Sequence, residues 1–266
     1  MKILPMKTLQ TFTLGVFMLL GSGFVVAQSA MTSPSASLSS EQVKQVQQIV
    51  HDYLVSNPQI LVEVSTALQQ QEMTKAQEKA RTLIATNAKA LFNNVTDPVV
   101  GSADADATLV EFFDYQCPHC KSMTSFVGDL VQKDAKVRVV FKELPIFGGN
   151  SQFAAKAALA SQKQGKYLAV HNALMKADNP LTNDKVLQVA KSAGVDTVKL
   201  QADMKEGAID QQLKDNFTLA KAILQPSIGI IATPAFIASN RAGTKFAFIP
   251  GQTDAAGLQQ AIAQVR

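Results

Sequence analysis

The chain has 266 residues, two cysteines, no tryptophan and a formal net charge of +4. That length builds one full domain with an appendage. The weak charge and the lack of any basic cluster exclude a nucleic-acid binder. Three scattered histidines, His51, His119 and His171, and a single cysteine pair fall short of the four ligands a structural zinc site needs.

The first residues have the pattern of an export signal. Lys2 and Lys7 supply positive charge, Phe12 to Val26 is largely apolar, and Val25-Val26-Ala27 offers a cleavage site after Ala27. The alternative is a membrane anchor, but the apolar stretch is short for a span of roughly 20 residues. No cysteine follows it to carry a lipid. Residues 1–27 are therefore expected to be a signal peptide, whose removal leaves a net charge of about +2. The mature protein is expected in the periplasm.

Residues 28–38, rich in Ser, Ala and Thr, form a linker. Ser39 and Gln42 stand at capping-box spacing and predict a helix start. Val43, Val46, Ile49, Val50, Tyr53 and Leu54 then recur on one helical face, until Asn57-Pro58 interrupts. From Gln59 to Phe92 there is no Gly or Pro, and a continuous helix there would run about 50 Å. Its middle, Gln69 to Arg81, is almost wholly polar, which predicts a stalk crossing solvent. The apolar faces between residues 43 and 68 are too small for a core of their own. Burial against a second copy of the segment makes residues 39–92 an oligomerisation segment and stalk. The alternative folds both helices back onto the main domain.

Residues 93–266 are expected to form the main domain. Thr108 to Tyr115 has the near-continuous apolar content of a strand buried on both faces. Ser122 to Lys133 predicts a helix and Val137 to Lys142 a second strand. Residues of about 150–225 make a helical block with breaks at Gly165, Asn179-Pro180 and Gly194. Strands return at Ala235 to Ala238 and Lys245 to Ile249, and Asp254 to Val265 closes as a helix. The fold class is therefore α/β, a thioredoxin fold with a helical insertion plus an N-terminal α-helical segment.

Both cysteines lie in Cys117-Pro118-His119-Cys120, just past the first strand. A bridge this short restrains the unfolded chain little, so a redox dithiol is the favoured reading over an inert bridge or a metal clip. Cys117 falls at the N-cap of the following helix with Pro118 at N1, where a proline is well tolerated. The sulfur then faces the unpaired N–H groups of His119 and Cys120 and the positive helix end, and both favour thiolate. A donating or protonated His119 adds to this. Stabilising the thiolate stabilises the reduced form, which makes the disulfide an oxidant. Cys117 is the nucleophile, and Cys120 resolves the mixed disulfide.

Val110-Glu111-Phe112-Phe113 followed by Cys117-Pro118-His119-Cys120 resembles the DsbA family of periplasmic thiol–disulfide oxidoreductases. The resemblance runs from about Asp97 to the C-terminus. It implies that Thr233-Pro234 is a cis-proline loop offering backbone hydrogen bonds to an extended peptide. It also implies that Glu111 is a buried acid beneath the disulfide, and that Lys142 accompanies it in moving the proton of Cys120. Read from the residues alone, Thr233-Pro234 is an ordinary trans turn, and Glu111 is either a partly exposed strand residue or a buried acid in need of a partner. His51 and His171 are read as surface or satisfied positions. The N-terminal helices and the threonine before Pro234 are similar to the larger oligomeric Com-type and ScsC-type relatives, whereas Cys-Pro-His-Cys resembles the oxidase. The expectations are formation or isomerisation of disulfides in exported cysteine-containing proteins and a homodimer or higher homo-oligomer. A membrane redox partner of DsbB or DsbD type would reset the dithiol. No metal and no cofactor beyond the Cys117–Cys120 disulfide are expected. A monofunctional oxidase, or a non-catalytic Cu(I)-binding or chaperone protein, is the alternative.

Overall fold

The computed structural model describes residues 38–266. The expected signal peptide and all but the last residue of the linker lie outside them. The described residues fall into two units that meet at Pro58.

In the first unit, α1 (Ser40–Ser56) begins with the capping box read from the sequence. The Ser39 side chain accepts from the Gln42 N–H, and the Gln42 side chain accepts from the Ser39 N–H. None of the helix residues is buried. Its apolar face, Val43, Val46, Ile49, Val50 and Tyr53, is exposed.

The second unit opens with α2 (Gln59–Thr86) and the short α3 (Ala88–Phe92). The expected single helix breaks at Asn87, whose side-chain amide donates to the Leu83 carbonyl at 2.8 Å. Asparagine competes with the helix in this way wherever its side chain reaches the backbone. Residues 61–75 of α2 are exposed. Its C-terminal end is not a free stalk, because Ala80 and Ile84, with Leu91 and Phe92 of α3, are buried in a core cluster, and α2 packs on the helix Gly207–Ile228 and the strand Phe246–Ile249.

The sheet has five strands in the order β1-β3-β2-β4-β5. These are β1 (Val99–Gly101), β2 (Ala107–Phe113), β3 (Val137–Glu143), β4 (Ala235–Asn240) and β5 (Phe246–Ile249). The central β2, buried at every position, runs parallel to β3 and antiparallel to β4. The edge strand β1 was not read from the sequence, because three residues show no periodicity. Its Gly101 has φ +105°, and a Cβ there would meet the Val137 carbonyl oxygen at 2.5 Å, so only glycine fits the pairing.

Helix α4 (Pro118–Lys133) joins β2 to β3. The helical block resolves into α5 (Gly149–Ser161), α6 (Tyr167–Lys176), α7 (Asn183–Ser192), α8 (Thr197–Asp203) and α9 (Gly207–Ile228), and α10 (Ala255–Val265) closes the chain. The breaks fall at Gly165, Asn179-Pro180 and Gly194 as expected, with a further one at Met204 to Glu206. Alternation along β2 separates two cores. Leu109 and Phe113 point to one with α4, α5, α6 and α10. Val110 and Phe112 point to the other, with α2, α3 and α9.

Candidate active site

Strand β2 ends at Phe113, and the three residues that follow place the dithiol. The buried Asp114 carboxylate accepts from the N–H of Gln116 (2.7 Å), of Ile146 (2.7 Å) and of Phe147 (3.0 Å), and from the Ser151 hydroxyl (2.7 Å). One side chain thus ties the loop before Cys117 to the loop after β3. Gln116 adds a second anchor. Its carbonyl accepts from the Asn179 side-chain amide at 2.8 Å and its Oε1 from the Leu181 N–H at 3.2 Å. The Asn179–Pro180 bond between them is cis. The helical insertion is therefore fastened to the residue immediately before Cys117. Sequence reasoning missed both residues. An Asp followed two residues later by a turn is a common Asx signal, but nothing local reveals its long-range partners.

Cys117 is the N-cap of α4 with Pro118 in the first turn, and its side chain accepts from the Cys120 N–H at 3.4 Å. Both cysteines are buried free thiols. The Cys117 thiol also lies 3.4 Å from the carbonyl oxygen of Thr233, and the Thr233–Pro234 bond is cis. The structure thus brings residues 117 and 233 together across 116 positions of sequence.

The sulfurs are polarised in opposite directions. Hydrogen bonding from the Cys120 thiol, against the opposing effect of burial, pulls Cys117 down to about 6; the N–H groups of Cys120 and His119 act the same way. The Cys120 N–H read from the sequence faces the sulfur, and the neighbouring thiol acts in the same direction. Cys120 is raised, first by burial and then by its bond to Cys117 and the charge there. A nucleophile that ionises near neutrality sits over a partner that holds its proton.

Glu111 is buried at 1% exposure. Burial, and secondarily the negative charge of Cys117, push it up to about 8. It is paired in register with Phe141 on β3 and with Phe236 on β4. Lys142 is paired with Phe112 and therefore points to the opposite face of the sheet. The expected partnership of Lys142 with Glu111 is corrected here. Lys142 instead forms a buried ion pair with Asp97 and donates to the Ala90 carbonyl at 2.6 Å. The physical reason is the period of two along a strand, by which neighbouring residues face opposite layers.

His119 is exposed, and its Nδ1 bonds Gln252 Oε1 at 2.6 Å. His51 is on the exposed surface of α1. His171 is 2% exposed and is a satisfied position, its Nδ1 lying 3.2 Å from the Tyr115 hydroxyl. That hydroxyl and the one of Tyr167 both approach Glu143 Oε1, at 2.8 and 2.9 Å. Burial lowers His171 to about 3 and raises Glu143, so it works against the charged form of both.

Residues 108–263 match the family described as the DSBA-like thioredoxin domain. Residues 42–73 match the one described as the copper resistance protein ScsC N-terminal domain. Disulfide bond formation protein D of Bacillus subtilis is 27% identical over 161 residues, covering 56% of this chain and 71% of that protein. Among solved structures, a thioredoxin-like oxidoreductase from Silicibacter pomeroyi is 38% identical, with 66% of this chain and 96% of that one covered and a TM-score of 0.60. ScsC of Proteus mirabilis in a transitional conformation is 31% identical over 85% of this chain and 97% of that one, with a TM-score of 0.59. The alignment also covers 16% of a sodium/proton antiporter from Salinispora tropica, 31% identical over 102 residues. Among the described residues, no helix is long and apolar enough to cross a membrane.

Proposed function

The chain belongs to the DSBA-like thioredoxin family, and on that premise we propose that it forms or isomerises disulfide bonds in exported proteins through Cys117 and Cys120. The observation that carries this reading is the opposed polarisation of the two sulfurs, with Cys117 lowered to about 6 and Cys120 raised. In the oxidising direction, a substrate thiolate attacks Cys117 Sγ and the Cys117–Cys120 bond breaks. Cys120 leaves as a thiolate and takes a proton, and Glu111, which holds one up to a pH of about 8, is the buried acid placed to supply it. A second substrate thiol, losing its proton, then attacks the substrate sulfur of the mixed disulfide and expels Cys117 as a thiolate. Two electrons pass from the substrate to the enzyme. Isomerisation starts instead from the reduced protein, with the Cys117 thiolate attacking a substrate disulfide.

At pH 7 a Cys117 thiolate favoured to this extent makes the disulfide more oxidising than an ordinary one by about 30 mV, because only the lowering below the ambient pH stabilises the reduced form. The Thr233 carbonyl beside Cys117 offers an acceptor to an extended substrate chain. Location in the periplasm, self-association through α1 and the first half of α2, and resetting by a membrane redox partner of DsbB or DsbD type complete the reading. The support for self-association is the match of residues 42–73 to the ScsC N-terminal family and the uncovered apolar face of α1.

The test is recovery of activity by a protein with scrambled disulfides, in the presence of the wild type, Cys117→Ser and Cys120→Ser. Catalysis by the wild type alone, with trapped mixed disulfides on Cys120→Ser, is the expected result. A wild type that binds Cu(I) tightly but catalyses neither oxidation nor shuffling would replace this reading with a metal-carrier one.

A further inference from the structure

Among the described residues, the first turn of α4, which carries the N–H groups facing Cys117, is bonded from outside by a single side chain, Gln252. Gln252 lies in the connection between β5 and α10, after the Pro250-Gly251 turn, where Gly251 has φ +125°. Two residues further on, Asp254 caps α10 by accepting from the Gly257 N–H at 2.8 Å. The connection is thus fixed at both ends, and α10 itself packs against α4.

From this position the Gln252 carboxamide makes two bonds. Its Nε2 donates to Ser122 Oγ at 3.2 Å, and its Oε1 lies 2.6 Å from His119 Nδ1. The Ser122 hydroxyl donates its proton to the His119 carbonyl at 2.8 Å, so Ser122 Oγ can only accept from Gln252. This decides which end of the amide faces which neighbour. The oxygen faces the imidazole, and a carbonyl oxygen accepts, so Nδ1 must carry a proton. Nε2 then becomes the basic nitrogen of the neutral ring, with no partner among the described residues.

We propose that Gln252 is a positioning residue of the dithiol, holding His119 as its Nδ1–H tautomer and, with Ser122, fixing the turn whose Cys120 N–H points at Cys117. The inference rests on the thiol-exchange reading above. Without Gln252 the ring is free to turn, and histidine in water favours the opposite tautomer. Ser122 and Gln252 thus link the β5–α10 connection to the redox poise of Cys117.

The experiment is nitrogen NMR of the His119 ring, together with an ultraviolet titration of the Cys117 thiolate, on full-length wild type, Gln252→Leu and Gln252→Glu. The wild type should show protonated Nδ1 and bare Nε2 in the neutral ring, and Gln252→Glu, which keeps an acceptor, should retain that tautomer. Gln252→Leu should shift the ring towards Nε2–H, raise the pH at which Cys117 ionises, and make the disulfide less oxidising against glutathione by about three- to tenfold, the scale of one hydrogen bond. A Gln252→Leu protein with unchanged tautomer and unchanged Cys117 titration overturns the role of Gln252 while leaving the dithiol reading intact. A wild type whose Cys117 ionises like an ordinary thiol overturns both.

Discussion

Glu111 and Lys142 are both charged residues inside a sheet, yet their environments hold them in opposite ways. Glu111 has an aromatic register partner on each side and stays protonated up to about pH 8. Unfolded, it would ionise near its ordinary value of 4.5. Between these two values the folded state binds more protons, so stability falls as pH rises and levels off above about 8, by a few kcal/mol in all. Glu111→Gln should abolish that decline in urea midpoints measured from pH 5 to 9, and should slow the release of Cys120. Because part of the shift comes from the Cys117 charge, the oxidised protein should show a shallower decline than the reduced one. Lys142 is paired with Asp97, while burial, the largest influence on each, works against both charges. Lys142→Met leaves a buried carboxylate unpaired and should cost about 3–5 kcal/mol. Since its side chain points away from Cys117, the thiolate titration should not move. A shift in that titration would restore the pairing with Glu111.

Among the elements, α2 serves two environments at once. Its residues 61–75 are exposed, whereas Ala80 and Ile84 are buried in the core cluster beneath β2. A chain beginning at Gln59 should therefore keep the Tm and the thiol exchange of the parent. A chain beginning at Asn93 loses Ala80, Ile84, Leu91 and Phe92 from that cluster and should melt at a much lower temperature or fail to fold, since each buried aliphatic or aromatic side chain contributes roughly 1.5–3 kcal/mol. Differential scanning calorimetry of the two truncations distinguishes these outcomes. Equal melting temperatures would make α2 a removable stalk throughout.

For the whole molecule, the open question of assembly falls on α1. Val43, Val46, Val50 and Tyr53 recur at spacings of three and four and are all at least 40% exposed. Such a stripe is stable in water when a second copy covers it. Light scattering should give a molar mass that is a multiple of the 28.5 kDa chain, less any cleaved leader. Val46→Asp with Val50→Asp should reduce it to a single subunit without changing the rate at which Cys117 is alkylated. A wild-type mass equal to one subunit would remove the oligomeric part of the proposed function.

The sequence alone determined what depends on neighbours along the chain. The capping box at Ser39, the buried strand before the cysteines, Cys117 as an N-cap with Pro118 behind it, and the breaks in the helical block were all legible, because each arises within a few residues of backbone. Tertiary structure decided what depends on which face a side chain takes and what waits there. Lys142 went to Asp97 because one step along a strand turns a side chain to the opposite layer. Asp114, Gln116 and Gln252 became parts of the site because distant loops supply their partners. Thr233 came to lie beside Cys117 because the loop before β4 folds back over the start of α4, which spacing in the sequence does not fix.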